Sequence, residues 1–114
     1  MSESARIPPG EALVLHSLIQ PTEQGIASRI LARAAGGNLT LFALDAGQSL
    51  TEHSSPFEAL VIVLEGSLTL TIAGVAVRAT PGTIVRLPAN VPHAVDAPEA
   101  SRMLLMMLKD SATA

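Results

Sequence analysis

Hydrophobic and polar residues alternate along much of the chain with the two-residue period of a β-strand. Residues 67–72 (Ser-Leu-Thr-Leu-Thr-Ile) alternate strictly, and residues 39–44 alternate moderately. Glycine, proline and asparagine turn signals separate short runs of this kind, which is typical of an all-β sandwich or barrel. The pattern predicts about ten strands, at 12–16, 28–33, 39–44, 50–54, 59–64, 67–72, 75–78, 83–87, 93–95 and 103–108.

Two segments have a composition that also fits a helix. Residues 102–109 are rich in methionine and leucine, which favour helices, and the run is too uniformly apolar for periodicity to decide. Residues 27–35 are rich in alanine. We interpret 102–109 as a strand because an all-β architecture needs a closing strand, and we keep a helix as the alternative for both segments.

Two of the predicted strands are apolar on both faces. Residues 59–64 and 103–108 carry no polar side chain, whereas an antiparallel strand with one face in solvent alternates. Their outer faces therefore need cover from elsewhere. We predict a two-fold homodimer, with an N-terminal segment that can be exchanged between subunits. The alternative is cover by the N-terminal strand of the same chain.

Length and composition support a single domain with a sizeable core. The chain has 114 residues, of which 48% are hydrophobic and 15% charged. One domain of this length buries enough surface to hold a core, and the apolar surplus is a second sign of a covered surface. Residues 1–10 end in Pro-Pro-Gly and are interpreted as an N-terminal tail, and residues 11–114 as one domain.

Charge, cysteine content and targeting signals limit the classes of partner, metal site and compartment that we expect for this protein. The net charge is −3 with no basic run, which argues against a nucleic-acid partner. The chain has no cysteine, which excludes disulfides and thiolate metal sites. Its N-terminus lacks the order of a signal peptide, and no stretch of about 20 apolar residues predicts a membrane span. We therefore expect a cytoplasmic protein.

Two segments with a histidine each carry the most specific signal in the chain. The first opens with Gly47 and contains His53, and the second spans residues 82–97 and contains Pro88 and His93. In spacing and residue type they resemble the two motifs of the cupin superfamily, G-x5-H-x-H-x3,4-E-x6-G and G-x5-P-x-G-x2-H-x3-N.

The chain departs from these motifs at several positions. Ser55 occupies the second histidine position, and Ala59 occupies the glutamate position. Glu58 is one residue out of register, so strand parity turns it away from the barrel interior unless a bulge intervenes. Asn90 replaces the inner glycine of the second motif, an exchange that suits a left-handed turn. Ala97 replaces the final asparagine.

The resemblance implies a double-stranded β-helix, or jelly roll, a cupin barrel that is often dimeric. Residues 53–60 (His-Ser-Ser-Pro-Phe-Glu-Ala-Leu) look like a group of small single-domain, RmlC-like cupins of the conserved-barrel type. In that group an H-x-x-P-F-[DE]-A-L pattern stands in for the metal motif. The resemblance supplies no reaction.

Strand parity and the cupin arrangement together predict a site inside the barrel. We expect His53 and His93 to converge there as metal ligands. The expected lining of the pocket is Thr51, Ser55, Ala59, Val61 and Val63. The bound ion would be a divalent transition metal, namely Fe, Mn, Zn, Ni or Cu.

Two imidazoles hold a metal weakly on their own, because functional sites of this kind supply three or four protein ligands. The missing ligands would be water, a substrate carboxylate, the Ser55 hydroxyl, or the thioether of Met103, Met106 or Met107. A set of two histidines and a methionine would favour copper.

Three functions fit this site. The first is a small metal-dependent enzyme acting on a small molecule, such as an oxygenase, isomerase or lyase. The second is a metal-free pocket that binds a small hydrophobic or carboxylate ligand. The third is a structural dimerising domain that acts with another protein. Acid–base chemistry by a neutral histidine needs no metal and stays a further alternative.

The other charged and polar candidates have surface interpretations. We expect His16 to be a surface or interface residue. We expect Glu52, Glu58 and Asp96 to face solvent, unless a bulge brings one of them to the site. Arg86 can meet a substrate carboxylate, but a surface role is the preferred interpretation.

Overall fold

The structure, a computed structural model, describes residues 6–109. Within that range the regular elements are nine β-strands and one short 3₁₀ helix, Leu15–Leu18. The strands in chain order are β1 (Ile26–Ala34), β2 (Gly37–Leu44), β3 (Ser49–His53), β4 (Glu58–Glu65), β5 (Leu68–Ile72), β6 (Val75–Ala79), β7 (Ile84–Leu87), β8 (His93–Asp96) and β9 (Ser101–Leu108). The prediction of an all-β fold is confirmed.

The strands form two antiparallel sheets of a jelly roll. One sheet has the strand order β1-β2-β9-β4-β7, and the other has the order β3-β8-β5-β6. The Ala-rich and the Met/Leu-rich segments form β1 and β9, so the helical alternatives for residues 27–35 and 102–109 are wrong. β9 is a strand because it pairs with β2 along one edge and with β4 along the other.

The core between the sheets is almost entirely aliphatic. Alternate residues of β4 point into it, so Ala59, Val61 and Val63 are all buried. The buried core residues are Leu44, Ala59, Val61, Val63, Leu68, Leu70, Ala79, Leu87, Val95, Ala97 and Met103. The two-residue period of the sequence therefore gives the inward face of β4 correctly.

The predicted strand at residues 12–16 is wrong. Val14 has extended dihedral angles (φ −80°, ψ 111°), but the chain then turns into the 3₁₀ helix and joins no sheet. The physical reason is a different way of burying apolar surface. Leu18 and Ile19 pack on the outer face of the five-stranded sheet, in one cluster with Leu31 and Leu41.

Hydrogen bonds to main-chain carbonyls fasten this N-terminal segment. Arg29 Nη1 donates to the carbonyl of Leu18 at 3.0 Å, and Arg102 Nη2 donates to that of Ile19 at 3.4 Å. The N-terminal segment of the same chain thus covers part of the outer face, although it does so without forming the strand that the alternative to a second subunit assumed. The homodimer stays a prediction.

The second-motif turn has the backbone that the sequence predicts. Asn90 lies at φ 64°, in the left-handed region where asparagine is the usual substitute for glycine. The main-chain N–H of Asn90 donates to the carbonyl oxygen of Ser55 at 2.7 Å. This bond joins the turn before β8 to the loop after β3, and the two loops border the same end of the barrel.

The ends of the chain lie partly outside the described residues. Ile7 N donates to the carbonyl of Leu31 at 3.1 Å, so part of the predicted tail lies along β1. The rest of that tail, residues 1–5, and the last part of the predicted domain, residues 110–114, are outside the described range. Among residues 6–109, no helix has the length and apolar character needed to cross a membrane.

Candidate functional site

The topology brings the two motif histidines together. His53 ends β3 and His93 begins β8, and the two residues are direct cross-strand partners. Their ring centroids are 4.5 Å apart, with an angle of 69° between the ring planes, which is an edge-to-face arrangement. His93 is 6% exposed, whereas His53 is exposed to solvent. The pair therefore spans from the barrel interior to its mouth.

A β-bulge in β3 decides which side chains accompany His53. Leu50 pairs with Val95 and His53 pairs with His93, so one extra residue lies on β3 between the two pairs. Because of that residue, Leu50 and His53 face the same side of the sheet. Thr51, which simple alternation would place beside His53, does not reach the cavity.

Main-chain carbonyls fix the orientation of both imidazoles. His53 Nδ1 lies 3.0 Å from the carbonyl oxygen of Thr51, and His93 Nδ1 lies 3.1 Å from that of Val91. A carbonyl oxygen only accepts hydrogen bonds, so Nδ1 carries the proton in each ring. In the neutral tautomer the lone pair is then on Nε2, and Nε2 is the nitrogen that can meet a ligand.

The histidines border a cavity of about 60 Å³ between the two sheets. From the predicted lining it includes Ser55, Ala59 and Val61, whereas Thr51 and Val63 are not among its wall residues. Val63 is instead buried in the core, opposite Met103. The cavity wall is formed by Leu50, His53, Ser55, Ala59, Val61, Leu87, His93, Val95, Met103, Leu105 and Met107.

Two of the three candidate methionines lie on this wall. Met103 and Met107 occupy inward positions of β9, and Met103 is only 1% exposed. Met106 lies on the opposite face of the strand, where its direct partners are Leu60 and Leu39. Alternation along β9 thus divides the methionines between the barrel interior and the outer face.

No acidic side chain lines the cavity. Within residues 6–109 there is also no group of three or more His, Cys, Asp or Glu residues that could hold a metal ion. Glu58, the acidic residue nearest to the motif position, instead accepts hydrogen bonds from Arg86 Nε and from the amide of Ala89 at 2.6 Å. These two bonds, the Arg86 bond first, lower the pKa of the Glu58 carboxyl.

Ser55 has a structural task at the mouth of the cavity. Its Oγ accepts a hydrogen bond from the amide of Phe57 at 3.1 Å, and its carbonyl accepts one from Asn90. The hydroxyl therefore shapes the loop between β3 and β4, and one of its lone pairs is already in use.

The other polar candidates lie away from the cavity. Asp96 is exposed and accepts a hydrogen bond from Ser49 Oγ, and Glu52 is exposed on β3. His16 donates to Glu65 at 2.8 Å, and Arg102 Nη1 donates to the same carboxylate oxygen at 3.0 Å. Partial burial raises the pKa of Glu65, but the His16 bond and the charge of Arg102 outweigh it and lower the pKa overall.

Comparison with known families assigns this arrangement to a class. A family model described as a cupin domain matches residues 40–109, which is more than half of the chain and includes both histidines. The chain belongs to the cupin family, and the resemblance carried by the two motifs is confirmed.

Solved structures with the same fold agree. A conserved protein of unknown function from Streptococcus pyogenes is 35% identical with a TM-score of 0.87, over 93% of each chain. A cupin superfamily protein from Desulfitobacterium hafniense DCB-2 is 27% identical with a TM-score of 0.85, over 91% of this chain and 95% of that one. A cupin 2 conserved barrel domain protein from Leptotrichia buccalis is 33% identical with a TM-score of 0.79, over 82% of this chain and 46% of that one. The comparison with curated proteins yields no match.

The donor set of the cavity decides which metal ions it fits. The family's metal motif has a second histidine and a glutamate where this chain has Ser55 and Ala59, so the cavity lacks the anionic oxygen ligand that hard divalent ions prefer. Two imidazole nitrogens with a fixed tautomer remain, and these suit the later transition metals. Two of the ligand positions of the complete motif site are therefore missing from the cavity.

Proposed function

We propose that this chain is a small-molecule cupin in which His53 and His93 hold a transition-metal ion through their Nε2 atoms. The observation that carries the proposal is the hydrogen bond from each Nδ1 to a main-chain carbonyl, at 3.0 and 3.1 Å. Histidines that bind metals in proteins nearly always donate their other ring N–H in this way, which fixes the tautomer and the ring orientation. Both rings have this arrangement and both border one cavity.

The walls of the cavity define what can react there. A bound metal ion would supply Lewis-acid chemistry. The protein supplies an aliphatic wall in which Val61, Leu87 and Leu105 shield the buried His93 from bulk water, whereas His53 stays open to solvent. A cavity of about 60 Å³ suits a small molecule or one end of a larger molecule. The exposed edge of His53 marks the side from which that end approaches.

One observation favours a second candidate, a metal-free pocket. The described residues contain no third His, Cys, Asp or Glu beside the pair. In that case the two Nε2 atoms accept hydrogen bonds from a ligand with O–H or N–H donors, and the aliphatic wall packs against its apolar part. This candidate predicts ligand binding that depends on the histidines in metal-free protein.

Elemental analysis of the full chain separates the two candidates. We expect protein purified without chelator, or reloaded with a late transition metal, to hold about one ion per chain, because two oriented imidazoles form a site before the metal arrives. We expect His53→Ala and His93→Ala each to bring the content below about 0.1 ion per chain. His16→Ala is the matched control, since His16 is exposed and bonded to Glu65 far from the cavity.

Circular dichroism of each variant serves as the control for folding of the barrel. A wild-type protein that holds less than about 0.1 ion per chain and takes up none on reloading would overturn the metal proposal and favour the metal-free pocket. Equal loss of metal in His16→Ala would show that the bound ion lies elsewhere.

A further inference from the structure

A lysine follows the last cavity residue of β9. Met107 belongs to the cavity wall and pairs with Ala59 of β4. Lys109 comes two positions later, and its main-chain N–H donates to the carbonyl of Gly36 at 2.8 Å, which fixes the backbone at this point. Side chains two positions apart on an extended chain share a face, and their Cα atoms are about 7 Å apart. The Lys109 side chain therefore continues the inward face of β9 just beyond the cavity wall.

The aromatic ring of Phe57 holds the ammonium group at the mouth of the cavity. Lys109 Nζ lies over this ring, 5.7 Å from its centroid. Phe57 belongs to the loop between β3 and β4, and its amide donates to Oγ of Ser55, a residue of the cavity wall. An ammonium is attracted to the face of an aromatic ring and keeps further N–H donors for a ligand. The charge of Lys109 thus lies beside the loop that borders the histidines.

No carboxylate among residues 6–109 forms an ion pair with Lys109. Glu58, the acidic residue next to the Phe57 loop, is paired with Arg86 instead. The two loops at this end of the barrel, residues 54–57 and 88–92, contain no charged side chain. Within the described part of the chain, the mouth of the cavity therefore presents a positive charge that an anion can pair with.

We propose that the mouth of the cavity recognises the carboxylate of a small amphipathic molecule. The carboxylate pairs with the Lys109 ammonium, and the apolar part of the molecule packs against the aliphatic wall, which includes Val61, Leu87 and Leu105. The inference rests on the proposed small-molecule function and names the class of ligand. It applies to the metal-bound and to the metal-free form of the site, since Lys109 is not one of the proposed metal ligands.

Three probes with the same hydrocarbon chain test the ligand class, namely hexanoate, hexanamide and hexylamine. The full-length protein, as purified and after loading with a late transition metal, is titrated with each probe, and binding is followed by the amide chemical shifts of ¹⁵N-labelled protein. We expect hexanoate to bind at least about fivefold more tightly than hexanamide, and hexylamine to bind most weakly because the ammonium groups repel each other. Added salt should weaken the binding of hexanoate and leave that of hexanamide unchanged.

Variants of Lys109 show whether this residue causes the selectivity. Lys109→Gln should lower the affinity for hexanoate to that for hexanamide, and Lys109→Arg should keep the wild-type preference because it keeps the charge. Arg78→Gln is the matched control, since it removes one positive charge from an exposed residue of β6. Arg78 pairs with Thr69, which pairs with Asp96 at the end of β8 opposite to His93. This variant should keep the wild-type affinity for hexanoate.

The outcomes separate the ligand class from the metal site. Unchanged hexanoate affinity in Lys109→Gln overturns the carboxylate assignment, and so does a wild-type protein that binds hexanamide as tightly as hexanoate or binds none of the probes. The metal content of the same samples tests the proposed function separately. We expect Lys109→Gln to hold as much metal as the wild type, whereas a wild type that takes up no metal overturns the metal site whatever the probes do.

Discussion

At the residue scale, the two histidines differ in exposure although they are cross-strand partners. His93 is buried under the aliphatic wall, and His53 reaches solvent. An ion or ligand held by both is therefore anchored on the His93 side and exchanges past His53. The bonds to Thr51 and Val91 keep both rings oriented before anything binds.

Glu58 gives the protein a pH dependence that is independent of the histidines. Its pKa is lowered by Arg86 and by the Ala89 amide, so the carboxylate is more stable in the folded state than in the unfolded chain. This contribution is fully present above the ordinary pKa of about 4.5 and is lost as the pH falls through the lowered folded value. Glu58→Gln should flatten the fall in unfolding free energy between about pH 5 and pH 3.

Chemical denaturation at a series of pH values measures this effect. Glu52→Gln, on the exposed face of β3, is the control and should keep the wild-type slope. A Glu58→Gln protein whose stability falls with acid as steeply as the wild type would show that the Arg86 contact contributes nothing.

The sequence predicts some of the cavity residues, and there is a physical reason why it does not predict the others. Parity places Ala59 and Val61 on the wall because β4 is regular there. It puts Thr51 in the place that Leu50 occupies, because the extra residue of the β3 bulge has no signature in the local sequence. Leu87 and Val95 reach the wall from strands whose packing depends on distant partners, which no local pattern encodes.

At the element scale, β9 explains why local periodicity fails for the most apolar segment. The strand lies between β2 and β4. One of its faces packs into the core between the sheets, and the other face contributes Leu104 to the cluster on the outer side of the five-stranded sheet. A strand covered on both faces has no polar period, so only the need for a closing strand indicates its type. For the N-terminal residues the pattern predicts a strand that does not form. Leu18 and Ile19 bury apolar surface there without joining a sheet.

The β1–β2 hairpin depends on a glycine where β2 begins. A Cβ atom on Gly37 would clash with the main-chain oxygen of Met107, whereas a Cβ on Gly36 would meet no atom within 4 Å. The clash is with backbone, which cannot turn aside. We expect Gly37→Ala to lower the free energy of unfolding by more than about 2 kcal/mol and Gly36→Ala to change it by less than about 0.5 kcal/mol. Urea denaturation of the two variants checks the difference, and equal stabilities would contradict the close approach of β2 to β9.

At the scale of the whole molecule, the outer face of the five-stranded sheet is only partly covered. The N-terminal segment lies over Leu41 and its neighbours. On the β4–β7 side, Ile62 is half-buried and its cross-strand partner Ile84 is 58% exposed. These residues continue the apolar surface beyond the reach of the segment. A second copy of the chain, related by a two-fold axis, is the partner that we propose for this area.

Sedimentation velocity at micromolar concentration tests the dimer. We expect the wild type to sediment as a species of twice the chain mass. The Ile84→Lys variant should sediment as a monomer, because the substitution places a charge in the apolar contact. Val75→Lys is the control, because Val75 is 65% exposed on β6, at the edge of the other sheet. A monomeric wild type, or dissociation by Val75→Lys rather than Ile84→Lys, would contradict this interface.

The central claim about the molecule is that two oriented imidazoles form a metal site inside a cupin barrel. A crystal of protein loaded with a late transition metal, measured at the absorption edge of that metal, tests it most directly. We predict one anomalous peak per chain at about 2 Å from Nε2 of both His53 and His93. A barrel without such a peak, or a peak bound only by other residues, would contradict the claim.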